Sequence, residues 1–118
     1  MIQGSVSGDG IPIVHLVIAG RDWPATIDTG FNGDLELPEA LRSSVNPRFL
    51  VRASFFLAAG QSVEEDVYLI DFPFDGLMVE AQTTFVPDVD ILIGTHLLRR
   101  HRLEIDFPAA TVHLERPL

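Results

Sequence analysis

The chain has 118 residues with neither cysteine nor lysine, and its 8 basic residues, all arginine, face 17 acids for a net charge of −9 at pH 7. That composition excludes disulfides, thiol nucleophiles, Cys-ligated metals, lysine Schiff bases and the phosphate-binding lysine of a P-loop. It also disfavours nucleic acid, whose binding depends on neutralising phosphates.

A hydrophobic content of 47% suits a globular protein, and the length suits one domain over residues 1–118, too short for two pseudo-symmetric lobes. The first residues show neither a basic segment nor an apolar run, and no stretch nears the roughly 20 apolar residues that span a bilayer. A soluble, cytoplasmic protein without membrane or nucleic-acid partners is expected. His15, His96, His101 and His113 lack the paired spacing of a zinc site, so neither a metal nor a cofactor is expected.

In chain order, the β-branched run Ile11–Ile18, the turn cluster Ala19–Asp22 and the segment Trp23–Ile27 predict a hairpin that ends at Asp28. Leu35–Pro38 predicts a short strand, and Pro38–Arg42 a brief helix ending near Ser43–Ser44. Residues 51–70 alternate and are interrupted by Ala58-Ala59-Gly60-Gln61, the pattern of a long hairpin with a glycine tip. The tip is a candidate flap, or simply the closure of a hairpin that never moves. Asp75-Gly76 marks a turn before a strand over Leu77–Val86. Ile91-Leu92-Ile93-Gly94 is apolar enough for burial on both faces and leads into a short helix at Thr95–His101. Two alternating segments, Arg102–Phe107 and Thr111–Glu115, predict a final hairpin. Seven or eight short strands with two small helices make an all-β protein, and their close spacing favours a small barrel-like sheet over a parallel α/β fold.

The chemistry concentrates at Asp28-Thr29-Gly30. An acid on a tight turn at the end of an apolar strand is costly unless a function requires it, although Asp and Gly also favour ordinary turns. The triplet, the long hairpin with Gly60 near its tip, and Ile91-Leu92-Ile93-Gly94 running into Leu97-Leu98 follow one another in an order that resembles a retropepsin-like aspartic protease. The likeness is to the single-lobed bacterial kind, which shares its fold with retroviral proteases.

That resemblance implies a small closed barrel-like fold and a homodimer acting on a peptide or protein substrate. Asp28 would be the catalytic acid and meet its copy from a second chain. Thr29 would brace the paired loops across the two-fold axis, and Gly30 would let substrate backbone lie close to the turn. Phe31, Asn32 and Ile93 would line the substrate site, and Ala58, Ala59, Gly60 and Gln61 would form a flap closing over it. Gly94 would sit where a side chain collides with the catalytic loop. Phe31 and Asn32 stand where retroviral relatives carry a small residue and an acid, and Thr95 stands where they carry an arginine that braces that acid. The terminal segments Ile2–Val6 and Leu103–Phe107 are candidates for pairing between copies, since free edges seek partners. A rival reading keeps the fold but makes it a catalytically silent peptide-binding or dimerisation module.

Overall fold

The computed structural model describes residues 1–118, the side chain of Ala58 excepted. Ten strands form one sheet: β1 (Ile2–Val6), β2 (Pro12–Ile18), β3 (Arg21–Ile27), β4 (Leu35–Pro38), β5 (Arg48–Phe56), β6 (Ser62–Phe74), β7 (Leu77–Val86), β8 (Ile91–Ile93), β9 (Arg102–Asp106) and β10 (Thr111–Glu115). Two four-residue helices, α1 (Arg42–Val45) and α2 (Thr95–Leu98), interrupt them, with single 3-10 turns at Glu39–Leu41 and Ala58–Gly60. The chain is all-β, as its alternation predicts. No helix among the described residues is long and apolar enough to cross a membrane.

The sheet does not close. Its order is β5-β6-β7-β4-β8-β3-β2-β1-β10-β9, so β5 and β9 remain edges, which corrects the expected closed barrel. The terminal strand is corrected as well: β1 pairs with β10 on one side and β2 on the other, so Ile2–Val6 is not a free edge. The close approach of β1 to β2 depends on Gly4, where a Cβ would stand 2.1 Å from the carbonyl oxygen of Ile13.

Tight turns set the register of the hairpins. Ala19 and Gly20 between β2 and β3, and Asp75 and Gly76 between β6 and β7, all have positive φ, as a two-residue turn matching the strand twist requires. β6 runs to Phe74, beyond the expected end at Ile70, despite Pro73. The ladder with β5 stops at Leu69, so Pro73 lies where one side of β6 has no neighbour to which a backbone N–H would have to donate. Pro24 is tolerated in β3 for the same reason, because the pairing with β8 begins only at Ala25.

The core is assembled by alternation. Val14, Leu16 and Ile18 of β2 point inward with Ala25 and Ile27 of β3, Leu35 and Leu37 of β4, Phe72 and Phe74 of β6, and Ile91 and Ile93 of β8. At about 25 cal/mol per Å² of apolar surface removed from water, such side chains contribute roughly 1.5–3 kcal/mol each, and they hold rigid the strand ends that carry the site.

Candidate active site

Three adjacent strands fix the site. β3 runs parallel to β8 with Ile27 opposite Ile93, and β8 runs antiparallel to β4 with Ile93 opposite Leu35 and Leu92 opposite Glu36. Beyond Ile27 the chain turns. The Asp28 amide donates to the carbonyl oxygen of Ile93 at 2.9 Å, and the Phe31 amide donates to that of Asp28 at 3.1 Å. The Asp28 carboxylate accepts from the Gly30 amide at 2.9 Å, a local bond that aspartate makes readily two residues ahead. This fixes the orientation of the Asp28 carboxylate. A Cβ on Gly30 would lie 3.3 Å from the same carboxylate oxygen, so the residue keeps the approach to the acid open.

The loop after the triplet is stitched to the start of α2. Gly94, Thr95 and His96 donate their amides to the carbonyl oxygens of Asp34, Phe31 and Gly33 at 3.0, 2.8 and 3.2 Å. A Cβ at Gly94 would be 2.1 Å from the Gly33 oxygen and 2.7 Å from that of Phe31, so the expected collision with this loop is present in the geometry. Thr95 adds a longer hydroxyl contact of 3.4 Å to the Phe31 oxygen.

A second acid underpins this loop. Asp34 is 2% exposed; one carboxylate oxygen accepts from the Gln82 amide at 2.7 Å and the other lies 2.6 Å from Nδ1 of His96. The pair joins β7, the loop after Asp28 and α2, and so braces that loop from below. Neither Asp34 nor His96 is recognisable from local sequence. Their partners come from segments 48 and 62 residues away from Asp34.

A cleft of about 480 Å³ opens over Asp28. Phe31, Phe55, Phe56, Leu57, Val63 and Leu92 form its apolar wall, and Glu36 and Glu65 join Asp28 as its acids. A smaller pocket of about 200 Å³ shares Phe31, Asn32, Phe55 and Thr84 with it. The Glu36 carboxyl is held above the usual range, first by burial and then by the negative charges of Glu65 and Asp28. A larger depression of about 500 Å³ elsewhere, near Phe74, Arg100 and Arg116, does not include Asp28 and is not part of this site.

Of the residues expected to line the substrate site, Phe31 and Asn32 do line the cleft. Ile93 does not. It is completely buried, because alternation in β8 turns Ile91 and Ile93 into the core and leaves Leu92 facing the cleft. Thr29 is exposed beside the acid. Ala59, Gly60 and Gln61 are exposed at the hairpin tip, outside the cleft wall, where Phe56, Leu57 and Val63 contribute instead. The side chain of Ala58 lies outside the described residues. No group of three or more His, Asp or Glu side chains among the described residues is placed to hold a metal ion.

No protein-family model and no curated protein sequence matches the chain. Solved structures do. A retropepsin-like aspartic protease from Rickettsia conorii superposes with a TM-score of 0.65 at 16% identity, covering 95% of this chain and 87% of the other. The fold is retropepsin-like. The protease of Simian Foamy Virus (mac) matches with a TM-score of 0.56 at 24% identity, over 74% of this chain and 91% of its own. Both neighbours are proteases, and within this retropepsin-like fold the Asp28 turn occupies the end of β3, against β8.

Proposed function

We propose that the protein is an aspartic-type endopeptidase in which Asp28 from each of two copies forms one catalytic dyad. The observation that carries this reading is the Asp28 carboxylate, oriented by the Gly30 amide at the floor of a cleft in a retropepsin-like fold. Hydrolysis without a metal or a nucleophilic side chain needs a base to take a proton from water and an acid to protonate the carbonyl oxygen as it becomes tetrahedral. Two carboxyl groups sharing one proton supply both. Like charges about 3 Å apart do not both ionise, so the pair loses its protons in two separated steps, a behaviour already familiar from aspartic proteases, and those steps belong to the dyad and not to either Asp28.

One chain offers one Asp-Thr-Gly triplet, so a homodimer is required, and a two-fold interface brings Asp28 directly against its copy. Thr29, exposed beside the acid, braces the two turns across that axis. Gly30, Phe31 and Asn32 receive the peptide backbone and side chains of a peptide or protein substrate. The β5–β6 hairpin, with Ala58, Ala59, Gly60 and Gln61 at its tip, acts as the flap that closes over it.

The test compares the parent protein with Asp28→Asn on a mixed peptide library between acidic and neutral pH. The variant abolishes cleavage while its circular dichroism and sedimentation match the parent's. Equal cleavage by the two proteins would remove Asp28 from the chemistry, and tight peptide binding by the parent with no products would make this a peptide-binding module.

A further inference from the structure

The chain places its arginines outside the cleft. On β6, Glu64 and Asp66 both meet Arg52, at 3.5 and 3.0 Å, whereas Glu65 between them lines the cleft. Arg48 takes Asp71 and Glu80, and Arg42 takes Glu39, each away from Asp28. The same alternation operates on β4. Leu35 and Leu37 are fully buried, and Glu36 between them emerges on the opposite face, in a row with Leu92 of β8 and Thr84 of β7 that forms the cleft wall.

Glu36 is thus half-buried, with neither a hydrogen bond nor an ion pair among the described residues. The charged groups facing it are Asp28 and Glu65, while β7 and β8 offer only Thr84 and Leu92, and no arginine or histidine lines the cleft. Partly burying a carboxylate beside two others is unfavourable unless a cation comes to meet it. A single chain supplies none at this face, so the complementary charge is left to whatever occupies the cleft.

We propose that Glu36, aided by Glu65 across the cleft, is a specificity-determining residue that selects substrates carrying an arginine or lysine side chain close to the scissile bond. This rests on the protease reading of the cleft. The apolar remainder, Phe31, Phe55 and Leu92 above all, takes aliphatic or aromatic side chains at neighbouring positions. Because the carboxyl of Glu36 is held high by burial and by Glu65 and Asp28, the preference for a cation fades on acidification before an ordinary glutamate would be protonated.

Peptide pairs identical except for arginine against citrulline, which keeps the shape and removes the charge, provide the test. The parent cleaves the arginine member with a kcat/KM about tenfold higher, and Glu36→Gln collapses that ratio toward one. Glu65→Gln narrows it as well and gives a second route should the first variant fail to fold. The same labelled pairs are titrated against Asp28→Asn and the double variant Asp28→Asn/Glu36→Gln by fluorescence anisotropy. If the parent yields no products but Asp28→Asn binds the arginine peptide more tightly and the double variant does not, the protease reading falls and the role of Glu36 stands. Equal kcat/KM for the two peptides in an actively cleaving parent, or equal affinities in the absence of cleavage, would overturn the role of Glu36. In the first of those cases the protease reading survives.

Discussion

At the scale of single residues, the loop that follows Asp28 is held by contacts that leave no room for change. Gly94→Ala would drive a Cβ into two carbonyl oxygens of the loop that follows Asp28. The backbone must shift, and a destabilisation of about 1–3 kcal/mol or more is expected in urea unfolding, with loss of any cleavage activity because the turn moves with it. Asp34→Ala strips the Gln82 amide and His96 of a buried partner. It is expected to cost about 2–3 kcal/mol by the same measurement, whereas Asn at this position keeps one acceptor and costs less. Asp28 and Gly94 were legible in the sequence because each announces itself locally, an acid among β-branched residues and a glycine ending an apolar run. Asp34 was not, since its meaning comes from β7 and α2, and the place of Glu36 depends on Leu92 and Thr84, which flank it from strands distant in sequence. Ile93 takes the inward phase of β8 and Leu92 the outward one, which three consecutive apolar residues do not reveal by alternation.

At the scale of elements, the hairpins were legible because their turns carry glycine with aspartate or alanine and their strands alternate. The far end of β6 was not. Pro73 lies beyond the expected strand end at Ile70, and only the staggered ladder shows why β6 continues past it. The free edge expected at Ile2–Val6 failed for a related reason, because sequence order does not reveal that β10 returns to lie beside β1. β4 carries the element's main energetic liability. A folded state that raises the pKa of Glu36 binds its proton more tightly than the unfolded chain does, so this residue costs stability once pH rises past its unfolded pKa. Glu36→Gln should therefore raise the melting temperature at neutral pH, and the gain should vanish below about pH 4, where the carboxyl is protonated in both states. A melting temperature unchanged at neutral pH would show that burial is not straining this carboxyl.

At the scale of the whole molecule, the proposed activity depends on assembly. Each copy carries a charge of −9, so two copies repel at long range, and salt that screens over about 10 Å at 0.1 M should tighten association. Sedimentation at low and moderate ionic strength should show the dimer fraction rising with salt, and with it the cleavage rate per chain. The proposed catalytic site needs one Asp28 from each of two copies. This is tested most directly by mixing parent and Asp28→Asn chains in varying proportion at constant total concentration, allowing exchange, and measuring cleavage. Only dimers with two aspartates are active on this account, so activity should follow the square of the parent fraction, leaving about one quarter in an equal mixture. Activity that instead falls in direct proportion to the parent fraction would mean that each chain works alone, and would contradict the shared dyad.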